Sequence, residues 1–343
     1  MSQRSRAARD RRRSPSRCLP LAVTISLSLL CADREARSEP SVWAEAADPK
    51  LERRTKTLRH TERLVGRARR AGRMGALSDA PRSLLLRDAL QRLTQADAAT
   101  SDDPRLRHQL ARALYGLFDT DGDEGHLRAA VGHLRMVAEA NAPVTVRAEA
   151  LNDLAMCHAR LGRHPREINA YDRALELEPH AESQAILLAN QAEGYMAQGH
   201  ISRAVSGYRA SIAVTPAYAL HRIAVTTWWG YAVALDRSGN LTGALEQIAK
   251  ARSYDPEDLS LQSDSWVYLP DYDEHWYRAL GHWQRARVTK EPSARLRSYE
   301  QALLSWSAYQ RRATLPDPWA ALAELRQRQC RAEHRRALAR SER

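Results

Sequence analysis

From residue 104 to 315, apolar residues recur every three or four positions, the spacing that keeps one face of an α-helix dry. Leu106–Phe118 and Leu127–Ala140 read as two such helices, closed by Pro143 and joined by a long acidic turn, Asp119–Gly125. Leu84–Leu93 reads as a helix ahead of them, and Trp319–Arg336 as an amphipathic closing helix behind Pro316 and Pro318. Residues 51–73 are a basic stretch whose only sizeable apolar residues are Leu51, Leu58, Leu64 and Val65. No strand pattern competes: Val225-Thr226-Thr227-Trp228 sits inside a helical period. The pattern predicts an all-α fold.

A longer period overlies the short one. Pro179, Pro216 and Pro256 each follow a Gly by seventeen residues (Gly162, Gly199, Gly239) and a large residue by eight (Tyr171, Tyr208, Ile248). Small residues fall five earlier (Ala174, Ser211, Ala251) and twenty-four earlier (Ala155, Ala192, Ala232), with Leu151, Leu188 and Trp228 twenty-eight earlier. Small side chains let paired helices approach, Gly turns the chain, and Pro stops the second helix because it cannot continue the hydrogen-bond ladder. The array resembles the tetratricopeptide repeat, a helix–turn–helix unit. Glu167 departs from it, standing where the pattern wants a small residue. The resemblance is strongest over these three units and extends, more weakly, over roughly 104–315.

That resemblance implies a right-handed α-solenoid of antiparallel helix pairs over 81–316. Before it would lie a leader (1–46) and a basic linker or helix (47–80), and after it a capping helix with an Arg-rich tail (317–343). It further implies a concave groove lined by the first helix of each pair. The groove residues would include Asn152, Met156 and Arg160 in one unit, Ile186, Asn190, Glu193 and Met196 in the next, and Trp229, Val233 and Arg237 in the third. The arrangement that clamps a peptide's terminal carboxylate is not expected, because only Asn190 fits it while Asn152, Met156, Thr226 and Gly230 do not. Within the repeat register Trp228 is expected in the core and its neighbour Trp229 in the groove.

Charge changes this picture at the ends only. The chain has 343 residues and a formal charge of +12, with Arg supplying 49 of 53 basic residues. Residues 1–46 carry +4, 51–73 carry +7 and 325–343 carry +5, which leaves 74–324 at about −4. A nucleic-acid binder needs a basic face on its folded body, so nucleic acid is not the expected partner. The basic segments are solvated tails or linkers, an ordinary first capping helix, or docking elements for an acidic partner or an anionic membrane surface. Residues 1–46 combine an Arg-rich start, an apolar run from Cys18 to Ala32 and Ala44-Glu45-Ala46, the order of an export signal. Cys31 offers a lipoprotein alternative, although Leu30 before it is bulky. Export to the periplasm or envelope is the first expectation for location, and the cytoplasm the second.

Candidate chemistry adds little. The sequence has no phosphate-binding Gly-rich loop and no H-E-x-x-H. The acidic turn places Asp119, Asp121 and Asp123 like a calcium loop, but Glu124 and Ala130 stand where Gly and Glu are required. His275 and His282 share a helix without a carboxylate to complete a metal site. Cys157 and Cys330 are expected as separate thiols. The expectation is a non-enzymatic scaffold for a peptide or protein partner, without cofactor or metal. The rival is a cytoplasmic regulatory or assembly factor that docks through its basic ends.

Overall fold

Helix starts and stops are written by a few residue types. Asp103 and Asp123 cap helices by accepting the backbone N–H groups of Arg105 and Gly125, and Glu291 accepts those of Ser293 and Ala294. Proline follows the cap at the starts near residues 104, 164 and 292. The computed structural model describes residues 48–73, 78–262, 268, 270–313 and 317–342. The leader reading of 1–46, with Cys18 and Cys31, lies outside them.

Among the described residues the α-helices pair in sequence order. They are α1 (Pro49–Arg73) with α2 (Asp79–Gln95), α3 (Pro104–Asp121) with α4 (Glu124–Glu139), and α5 (Val144–Arg160) with α6 (His164–Leu177). Next come α7 (Ala181–Ala197) with α8 (Ile201–Val214), α9 (Val225–Arg237) with α10 (Leu241–Tyr254), and α11 (Glu274–Val288) with α12 (Pro292–Arg312). A single helix, α13 (Ala320–Ser341), closes the series against α12. The fold is an all-α solenoid of antiparallel helix pairs.

The three matched units turn in the same way. Gly162, Gly199 and Gly239 have φ of 64°, 76° and 93°, the left-handed region that glycine enters without steric cost. The residue after each returns its N–H to the preceding helix: Arg163 to the His158 carbonyl, His200 to Tyr195 and Asn240 to Leu235, at 2.8, 2.9 and 2.9 Å. The small positions Ala155, Ala192 and Ala232, and their partners Ala174, Ser211 and Ala251, are all fully buried. Glu167 is accommodated because Gly194 faces it. A Cβ on Gly194 would stand 2.8 Å from the Glu167 carboxylate, which instead pairs with His164 at 2.8 Å.

One open choice is decided and one expectation changes. Of the readings open for 51–73 the helix holds and the solvated linker does not: Leu58, Thr61, Val65, Ala68 and Ala71 of α1 are buried, and Leu58, Val65 and Ala68 join the core of α2 and α3. The packed pairs therefore begin at α1, ahead of the expected boundary at 81. The long acidic turn also contracts: α3 runs on to Asp121, Gly122 takes φ 72°, and Asp123 already caps α4. Cys157 and Cys330 are both buried, free thiols.

Candidate functional site: the first-helix face

The first helices of neighbouring pairs meet along one side, α1 with α3, α3 with α5, α7 with α9 and α9 with α11. Polar side chains stitch that side together. Asp153 on α5 is buried and accepts from Arg112 of α3 at 2.8 Å, with His108 also 2.8 Å away. Burial alone would raise this carboxyl, but Arg112 and His108 hold it well below the usual carboxylate range. Arg160 crosses to Asp119 and stacks over Phe118 at 5.5 Å, so this predicted groove residue is already engaged within the chain.

The second unit is engaged in a similar way. Tyr208 of α8 donates its hydroxyl to Glu193 of α7. Burial pushes the Glu193 carboxyl up to about 7, with the Tyr208 hydrogen bond opposing and nearby Asp273 adding to the rise. Asn190 lies beside the Tyr171 hydroxyl, and Met196 is buried in the core. Ile186 stays exposed, at 37% of its full accessible area.

The third unit overturns the groove assignment. Trp229 and Val233 are both at 0% exposure, and Arg237 is buried. Trp229 presses on α11, where a Cβ on Gly281 would approach its ring to 3.0 Å, and the Arg252 guanidinium lies over the ring at 5.6 Å. Arg237 pairs with Asp273 at 2.7 Å and is sandwiched between Trp276 and Trp319, 4.9 and 5.1 Å from the ring centroids. Such a cation between two aromatic faces is held by their quadrupoles as well as by its carboxylate. Trp228 is buried too, tilted against Tyr254 with centroids 5.4 Å apart. Both tryptophans therefore belong to the core, and Met196, Trp229, Val233 and Arg237 leave the candidate site.

What remains open is the part of this face on α5 and α7. Asn152 and Met156 are half-buried, Ile186 is exposed, and Glu149 beside them is exposed. The Asn152 Oδ1 is buried with no hydrogen-bond partner. Among the described residues no group of three or more His, Cys, Asp or Glu side chains is placed to hold a metal ion. No described helix is long and apolar enough to cross a membrane.

No protein-family model matches the chain, and no curated protein matches it. Solved structures similar to it are repeat proteins. YrrB, described as a TPR protein with an unusual peptide-binding site, is 18% identical, covering 52% of this chain and 82% of its own at a TM-score of 0.37. A putative kinesin light chain of Podosopora anserina, with nearly identical TPR-like repeats, is 15% identical over 70% of this chain and 97% of its own, at 0.40. The APC/C hetero-tetramer Cut9-Hcn1 is 10% identical over 82% of this chain and 48% of that chain, at 0.45. These likenesses concern the fold alone.

Proposed function

We propose that the protein is a non-enzymatic scaffold of the tetratricopeptide type, which holds a peptide or protein partner on the open part of its first-helix face. The observation that supports this reading is the contrast along one register. Asn152 and Met156 on α5, and Ala189 and Glu193 on α7, are half-buried, whereas Trp229 and Val233 in the matching places on α9 are sealed; Ile186 is exposed beside them. A partner would therefore engage the first two matched units and stop at the third. Such a surface suits an extended or helical segment whose apolar side chains cover Met156 and Ile186.

Export follows from the order of residues 1–46 as the second part of the proposal, with work in the cell envelope. Intact mass of the native protein tests it, since an untrimmed leader on a soluble cytosolic chain contradicts export. Binding is tested by placing a photo-crosslinking residue at 156, 186 or 233 in the full chain within native cells. The reading expects one shared adduct from 156 and 186 and none from 233. Failure at both open positions would sink it.

A further inference from the structure

The cations of α1 are arranged, not scattered. Its apolar face is consumed by the core, and the opposite face carries Lys56, Arg59, Arg63, Arg67 and Arg70 in single file, all exposed. Neighbours three or four apart on a helix face one another, and like charges so placed repel. Lys56 is paired with Glu52 at 2.6 Å. Arg53 lies close enough to Glu52 to act on its carboxylate, and Arg63 donates to the Arg59 carbonyl at 3.2 Å. Beside the first half of α1, the turn 96–102 raises a wall and encloses a cleft of about 980 Å³.

That wall is pre-formed. Asp97 takes φ 52°, the buried Ala98 returns its N–H to Leu93 at 2.9 Å, and Arg107 holds the Ala99 carbonyl at 3.1 Å. Arg53, Arg54, Lys56, Arg59, Arg63 and Arg92 line the cleft with Lys50, against the carboxylates of Asp97 and Asp102. Thr57, Gln95, Thr100 and Ser101 add neutral hydrogen-bonding groups, and His60 is the one aromatic ring among the lining residues, with no Phe, Tyr or Trp beside it.

The geometry points to this cleft as a docking site for an acidic segment of a partner protein, a run of Asp and Glu side chains laid along α1. Guanidinium groups match carboxylates in a two-pronged geometry that lysine lacks, and five of the seven lining cations are arginine. The concave form admits a protruding chain, while a flat lipid surface would reach only the outer row. A lone His60, set near the Asp88 carboxylate, gives no succession of rings on which the bases of a single-stranded nucleic acid could stack. The site is separate from the open face on α5 and α7, so either can fail without the other.

The test uses the full chain and a labelled twelve-residue peptide of alternating Asp and Glu. Probes for comparison are its Asn/Gln counterpart, a 20-nucleotide single-stranded DNA and phosphatidylserine–phosphatidylcholine vesicles. The acidic peptide should bind best, and its affinity should fall steeply between low and physiological salt. Reversing Arg53, Arg54 and Arg63 to Glu should weaken it by about tenfold or more, as expected for three exposed ion contacts. The milder change of the same residues to Gln should weaken it less, with the melting temperature kept. Arg335→Glu with Arg336→Glu, at the other end of the chain, should leave binding unchanged. Equal binding by the cleft-reversed and wild-type proteins would overturn the proposal. So would equal binding of the neutral peptide, or tighter binding of DNA or vesicles that the cleft variants abolish.

Discussion

At the scale of single residues, neighbouring tryptophans show how a register can be right while a role is wrong. Trp229 is fully enclosed by α9, α10 and α11, so Trp229→Ala should cost ~3–5 kcal/mol, at least as much as Trp228→Ala. Denaturant melts of the two variants check this, and a Trp229→Ala loss under about 1 kcal/mol would return the residue to a groove. The seven tryptophans crowded between 228 and 319 already hinted at a large core there. What the weaker match to that next helix did not convey was how closely α11 and Asp273 cover α9. Glu193 makes a second prediction. Its carboxyl, raised to about 7 in the fold by burial, takes up a proton more readily there than in the unfolded chain. Its contribution to stability is therefore present at acid pH and lost as pH rises from the ordinary carboxylate range through about 7. Glu193→Gln should flatten that slope and gain on the order of 1–3 kcal/mol relative to wild type at pH 8. Melts across pH 5–8 that fall in parallel for both proteins would rule this out.

At the scale of elements, the two ends are structural parts as well as charged ones. α13 is tied to α9 by Arg326, which donates to Asp236 at 2.6 Å with both groups buried, and Trp276 donates to the same carboxylate at 3.0 Å. Further along, Glu333 accepts from Trp283 and Tyr299 and pairs with Arg287. Arg326→Ala leaves Asp236 buried with its main counter-charge gone, and should cost ~3–5 kcal/mol in equilibrium unfolding. Loss of α13 beyond residue 325 should do at least as much, which gives the tail a role other than solubility. A variant as stable as wild type would show that the pair is dispensable. The helix pairs themselves could be read from Gly162, Gly199 and Gly239 with the prolines behind them, because turn chemistry is local. The packing of α1 could not, since four apolar residues in a strongly basic stretch are equally compatible with a solvated linker, and its small buried residues Ala68 and Ala71 carry no helical signature of their own.

At the scale of the described unit, stability is divided between two hydrophobic clusters. One joins α1 through α7 with small and aliphatic side chains, and the other joins α7 through α13 around tryptophan and tyrosine. In a stacked array each pair is stabilised mainly by its neighbours, and the second cluster, with its large buried aromatic rings, is expected to be the anchor of the array. The site that the repeat resemblance implied as one continuous groove becomes a shorter open face on α5 and α7, ending where the anchor begins. That division is the central claim, and thiol alkylation read peptide by peptide tests it most directly. Met156→Cys and Ile186→Cys should react in the native full-length protein at rates near those of an exposed thiol. Val233→Cys, like the native buried Cys157 and Cys330, should react only as fast as the protein opens. Rapid native-state labelling at 233, with protection at 156 and 186, would contradict the account.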